Sequence, residues 1–233
     1  DPSKKTVLLY AHHDVQPVGD LDLWNTEPFD PVVKEGRLYG RGSGDNKAGV
    51  VVHYNVVKQL LEDLPVNIRI FIEGEEEIGS PTMADFIEQN REALEADVIV
   101  IADSGNVKIG VPTITTSLRG LADAIIEVNQ PMRPVHSGMG GGIVPDAFMV
   151  LSKIIASFHN EKGDLMIEGL TSTDMKVAEL DKSYTQKMLG SEEINLFDTD
   201  SISKRLWLEP ALDVLAIDAP PVKDAVNLVI PKA

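Results

Sequence analysis

Thr6-Val7-Leu8-Leu9-Tyr10-Ala11-His12-His13-Asp14 passes from an apolar run into imidazole and carboxylate within three residues. Thr6 to Ala11 has the length and composition of a buried strand, and polar groups at such a strand's end mark a ligand-binding edge. Working outward, Asn46 or Lys47 to about Glu62 carries Val50, Val51, Tyr54, Val57, Leu60 and Leu61 at helical spacing, with Pro65 beyond its end. Val66 to Ile72 alternates as a strand, Ser80-Pro81 opens a second helix, and Val98 to Ile101 is another short buried strand. The order strand, helix, strand, helix, strand predicts an α/β catalytic layer with a mainly parallel sheet and helices on both faces. A small hairpin is expected across Val32 to Tyr39, turning at Glu35-Gly36.

Past Arg119-Gly120 the pattern changes. Ala122 to Asn129, Leu212 to Ile217 and Val226 to Ile230 are expected strands, and Pro145 opens a helix reaching about Phe158. Two domains follow: residues 1–119 as the catalytic, metal-binding part and residues 120–233 as part of a smaller α+β lid or dimerisation domain.

Composition narrows the function. Among 233 residues, 21 Lys+Arg against 37 Asp+Glu leave a net charge of −16, which disfavours nucleic acid and anionic membranes as partners. No apolar run has the length of a membrane span. The absence of cysteine excludes disulfides and thiolate metal sites and is compatible with a cytoplasmic setting.

Four segments bring acids or imidazole to expected strand ends: His12 with Asp14, Asp45 after Gly40-Arg-Gly-Ser-Gly44, Glu73 with Glu75-Glu76-Glu77, and Asp103. Each alone is ordinary. His-x-Asp is common, Asp45 is a natural helix cap, and a charge run usually faces solvent. Together they crowd like charges that resist ionising side by side without a cation. Their oxygen and nitrogen donors suit a divalent metal of hard to borderline character. Adjacent glutamates further allow one to bind metal while its neighbour handles a proton.

These residues also carry a family resemblance. Tyr10-Ala-His-His-Asp-Val-Gln-Pro17, Trp24 with Pro28-Phe29, Gly40-Arg-Gly-Ser-Gly-Asp-Asn-Lys47, Glu73-Gly-Glu-Glu-Glu-Ile-Gly79, Asp103, Leu118-Arg-Gly120 and His136-Ser-Gly138 resemble the M20 metallopeptidases. Within them the sequence is most similar to the cytosolic non-specific dipeptidase and carnosinase group, over nearly its whole length. The resemblance implies a hydrolase of dipeptides or short peptides with two divalent metals, zinc first, with manganese or cobalt also suited. His12 and Asp103 would bind one metal, Asp45 would bridge both, and Glu77 would bind the second. Glu76 would be the general base, Asp14 would orient His12, and His136 would polarise the scissile carbonyl from the smaller domain, often across a dimer. Asn227 would lie near the substrate. The peptide bond after Asp45 would be cis. A homodimer is expected of the full-length protein.

Departures are equally specific. Asp146 stands where relatives usually carry asparagine. The second metal's late histidine has no counterpart, since His13, His53 and His159 do not match its place. The family's N-terminal helices and later substrate-carboxylate segments are also unmatched. The sequence is therefore expected to be a fragment truncated at both ends, inactive by itself. Two other readings stay open: an N-acyl amino acid amidohydrolase of desuccinylase or aminoacylase type, and a non-catalytic metal-binding or dimerising remnant.

Overall fold

A computed structural model describes residues 1–233, which form two compact units, Asp1–Thr113 and Ile114–Ala233. The first unit holds β1 (Thr6–His12), β2 (Val32–Lys34), β3 (Arg37–Tyr39), α1 (Lys47–Leu60), β4 (Asn67–Glu73), α2 (Met83–Gln89), α3 (Arg91–Leu94) and β5 (Val98–Ile101). Its main sheet has the order β4-β1-β5 and is parallel throughout, with Thr6 opposite Asn67 and His12 opposite Glu73. β2 and β3 make the expected hairpin around Glu35 and Gly36, both with positive φ.

This strand order places the helices. Crossovers between parallel strands are right-handed, so stepping from β1 to β4 and then back past β1 to β5 sends the two connections over opposite faces. α1 packs on β1, and Phe86 of α2 stacks on Phe71 at 5.2 Å between ring centroids. Phe71 in turn meets Tyr10 edge-on at 5.6 Å. Leu8, Leu9 and Ala11 are buried in β1, which alone is flanked on both sides. β5 is an edge of this sheet, and Val98, Ile99, Val100 and Ile101 are all exposed.

α2 starts two residues later than Ser80-Pro81 implied, with Thr82 at its cap position. Gly79 and Ser80 both have positive φ, and the Ser80 N–H returns to the Glu75 carbonyl at 2.8 Å. The chain is still completing the turn after β4 when the proline arrives.

The second unit contains β6 (Val135–His136), α4 (Ser137–Gly140), α5 (Ala147–Ser157), α6 (Lys182–Met188), α7 (Ile202–Trp207) and β7 (Leu228–Val229). β6 and β7 pair antiparallel. The expected strands over Ala122 to Asn129 and Leu212 to Ile217 do not form: only Asn129 makes a bridge, to Lys232. A strand exists only through a neighbour's ladder, and Leu121, Ile125 and Leu215 stand more than four-fifths exposed (91%, 93% and 84%) with no sheet to join. Asp146 has a use for both of its oxygens. Oδ1 accepts from the Met149 N–H as the cap of α5, and Oδ2 accepts from the Ile230 N–H at 3.3 Å. Asparagine would offer one acceptor where two donors arrive.

Candidate metal centre

His12 is the last residue of β1, fully buried, with its ring at the sheet's carboxyl edge. Its Nε2 faces three carboxylates: Asp45 Oδ1 at 3.0 Å, Asp103 Oδ1 at 3.6 Å and Glu76 Oε2 at 3.8 Å. Its Nδ1 lies 3.2 Å from both Asp14 Oδ1 and the Asp14 carbonyl. Both ring nitrogens thus face oxygens; a cation on the Nε2 side would leave the ring proton on Nδ1, directed at Asp14, and turn the Nε2 lone pair toward the cation.

Each carboxylate arrives for a local reason. Asp45 precedes α1 and does not cap it; Asn46 does, with Oδ1 accepting from the Gly49 N–H at 3.1 Å. Asp45 is thereby left to face His12, and the peptide bond between Asp45 and Asn46 is cis. The Asn46 amide also donates to Asp103 Oδ1 at 2.8 Å, tying the end of β5 to the start of α1. Position 49 must be glycine for this approach, since a Cβ would fall 2.1 Å from the Ala102 carbonyl oxygen and 2.2 Å from Asn46 Oδ1. Glu76 and Glu77 sit on a single 3₁₀ turn, Glu76–Ile78, directly after β4. Asp14 reaches that turn as well, its Oδ2 accepting from the Glu77 N–H at 3.0 Å.

The electrostatics are those of a cluster short of positive charge. Burial alone would lower the His12 pKa, but Asp103, the bond to Asp45, Glu76 and Asp14 outweigh it and hold the ring above its ordinary value. Burial raises Glu76, and Asp103, Glu77 and Asp45 add to this against the opposing pull of His12. Asp103 is raised by burial, opposed by His12 and reinforced by Asp45 and Glu77. Asp14 goes the other way: burial is overcome by backbone N–H groups, that of Glu77 foremost, and by His12. Ligand atoms of His12, Asp45 and Asp103 all lie within 4.8 Å of one another. One buried imidazole nitrogen with several carboxylate oxygens, those of Glu76 and Asp103 disfavoured as anions, fits a divalent cation of borderline hardness.

Of the residues singled out in the sequence, His12, Asp14, Asp45, Glu76 and Asp103 come together around this ring. Glu77 stands beside them, on the same turn as Glu76 but outside the three-residue group. His136 and Asn227 lie in the second unit, where the pairing of β6 with β7 sets them side by side: His136 is opposite Leu228, and the Ser137 N–H donates to the Asn227 carbonyl at 2.9 Å. The exposed His136 ring accepts from the Gly138 N–H at Nδ1, 3.0 Å away, so its neutral form carries the proton on Nε2. Asn46 and Gln16, which carry no charge, are additions to the residues expected at the site. His53 is a structural histidine, buried with Nε2 2.8 Å from the Tyr10 carbonyl. The apolar cleft of about 630 Å³ against α2, lined by Leu8, Phe71, Met83 and Ile87, contains none of the clustered acids.

Fold and donor set define an α/β domain whose strand ends carry a His/Asp/Asp cluster that could hold a divalent cation. The chain belongs to peptidase family M20/M25/M40, whose pattern matches residues 8–216. It is 36% identical over 236 residues to the cysteinylglycine-S-conjugate dipeptidase of Corynebacterium striatum, covering 98% of this chain and 52% of that protein. The crystal structure of human carnosine dipeptidase 1 matches at a TM-score of 0.65 and 31% identity, over 100% of this chain and 53% of that one. The M20 family metallo-carboxypeptidase Sso-CP2 from Sulfolobus solfataricus matches at a TM-score of 0.75 and 28% identity, over 98% and 55%. The chain spans about half the length of the curated relatives it matches. No helix is long and apolar enough to cross a membrane.

Proposed function

We propose that the protein containing this chain is a metal-dependent hydrolase of dipeptides or other short peptides, acting with two divalent cations. The observation that carries this reading is the buried His12 ring, aimed through one nitrogen at Asp45, Asp103 and Glu76 and held through the other by Asp14. His12, Asp45 and Asp103 would hold one cation, and Asp45 with Glu77 would contribute to a second. Zinc suits these donors, as do manganese and cobalt. When bound, such a pair supplies Lewis acidity, polarising a peptide carbonyl and lowering the pKa of water toward about 7.

The chain's own residues supply the rest. Glu76 takes the proton of the attacking water and returns it to the leaving amine; its raised pKa moves it toward the neutral range in which such a base works best. Asp14 keeps the His12 proton on Nδ1. His136 offers an Nε2–H donor, suited to the carbonyl oxygen as negative charge develops there. Asn227, adjacent to it, is assigned to the substrate. Relatives named for cysteinylglycine conjugates and for β-Ala-His support a dipeptide over an N-acyl amino acid. A homodimer in the cytoplasm, with residues 1–119 as catalytic part and the remainder as lid or dimerisation part, completes the proposal.

The test is hydrolysis by the intact protein of a dipeptide panel including Cys-Gly and β-Ala-His, set against N-acetyl and N-succinyl amino acids. Dipeptide cleavage abolished by chelation is expected. Glu76→Gln should keep its metal while turnover falls by about 10²–10⁴-fold. Cleavage indifferent to chelation, or confined to the N-acyl compounds, would refute the reading; loss of metal together with turnover in Glu76→Gln, with metal retained in Glu77→Gln, would mean that Glu76 and Glu77 have exchanged roles.

A further inference from the structure

Two carboxylates near the cluster are held by neutral amides. Asn46 donates to Asp103, and Gln16 Nε2 donates to Glu77 twice, to Oε2 at 2.7 Å and to the backbone carbonyl at 3.1 Å. Both atoms on Glu77 are acceptors, so only the NH₂ edge of Gln16 fits there.

Gln16 arrives by strand phase. Residues two apart on an extended chain project the same way, and His12, Asp14 and Gln16 stand at that interval. β1 ends at His12, yet the path continues under control: the His13 N–H donates to the Glu73 carbonyl at 2.9 Å, and Lys47 Nζ donates to the His13 carbonyl at 2.7 Å. His12 thus meets the cluster, Asp14 links His12 to the Glu77 N–H, and Gln16 takes the Glu77 carbonyl and one side-chain oxygen. Three of the four polar atoms of Glu77 are engaged by residues within four positions of His12.

We propose that Gln16 is a positioning residue for Glu77. It occupies Oε2 so that Oε1 alone is presented to a divalent cation, which makes Glu77 a single-oxygen donor. This rests on Glu77 being a metal ligand. The choice of an amide matters: lysine or arginine could hold the same oxygen, but its positive charge would oppose a neighbouring cation, whereas glutamine orients the carboxylate and leaves its charge intact.

Zinc titration against a competing chelator, on the intact protein, separates the possibilities. Gln16→Ala should weaken zinc binding about 10-fold or more, the range for a partner that orients a ligand, without shifting the Tm of the metal-free protein. Gln16→Lys should weaken it at least as much. Glu77→Ala should remove one equivalent, and adding Gln16→Ala to it should cost nothing further. If Gln16→Ala is silent while Glu77→Ala loses an equivalent, the proposal fails and the ligand assignment survives. Equal weakening by Gln16→Ala in both backgrounds also overturns it, since Gln16 would then act elsewhere. Unchanged zinc binding in Glu77→Ala refutes the ligand assignment itself, and the proposal with it.

Discussion

Asp14→Asn tests the organisation of the centre most sharply, because it changes one atom at a point where two donors converge. Oδ1 of Asp14 faces His12 Nδ1 at 3.2 Å, and Oδ2 faces the Glu77 N–H at 3.0 Å. Asparagine has a single acceptor oxygen, so one donor must meet an NH₂ group. If the NH₂ turns to His12, the ring relieves the clash by moving its proton to Nε2, the nitrogen that would bind metal. If it turns to Glu77, the turn bearing both glutamates loses its anchor. Either way a hydrogen bond to a charged acceptor is lost, worth about 1.5–3 kcal/mol. The Asp14 side chain is only 18% exposed, so water offers limited compensation. At about 1.4 kcal/mol per decade, this predicts metal affinity about 10–100-fold weaker, in line with other residues that orient histidine ligands. Competition calorimetry on wild type and Asp14→Asn, with zinc as probe, measures it. Affinity within about twofold of wild type would refute the reasoning. The Asp14 carbonyl, also 3.2 Å from Nδ1, would then suffice to set the ring.

Asp45→Ala should abolish binding of both cations, because its carboxylate is the one proposed to be shared between them, whereas His12→Ala should weaken chiefly one. Two retained equivalents in Asp45→Ala, by elemental analysis, would rule out a shared ligand. His12, Glu76 and Asp103 are all raised in pKa, so cation uptake should release protons, and apparent affinity should climb with pH above the ordinary carboxylate range and again above the ordinary imidazole value. Uptake independent of pH, or an uptake heat that does not change between buffers of different ionisation enthalpy, would contradict this. The same three groups make the metal-free fold most stable below their ordinary pKa values and less so as pH rises through the folded ones. Asp14, lowered in the fold, contributes in the opposite sense, stabilising above its ordinary value and losing this as pH falls through its folded one.

The first unit is legible in the sequence because its signals are local and agree with one another. A continuous apolar run, a helix of period 3.6 and acids at each strand end all point to one sheet edge, and β1, α1, β4 and β5 lie within about two residues of expectation. The second unit is less so. Ala122 to Asn129 and Leu212 to Ile217 have strand composition, but composition states only that a segment would suit a sheet. Whether an edge is available is decided by the rest of the fold.

The site divides along the same line. Residues that titrate declare themselves because their charges have to be reconciled with one another, a constraint that the residue types impose by themselves. Asn46 and Gln16 carry no charge and send no such signal, although each holds a carboxylate of the cluster. Both nonetheless leave a trace. Asp45 and Asn46 are adjacent candidates for one helix cap, and a cap has room for a single residue. Assigning it to Asn46 is what allows Asp45 to turn toward His12. For Gln16 the trace is the interval of two, His12-x-Asp14-x-Gln16, which extends the strand's phase beyond its last ladder bond. Amides placed in this way suit a cation site, because every donor that fixes a carboxylate through positive charge weakens the pull on the metal. Neutral donors orient the ligands and leave the negative charge available.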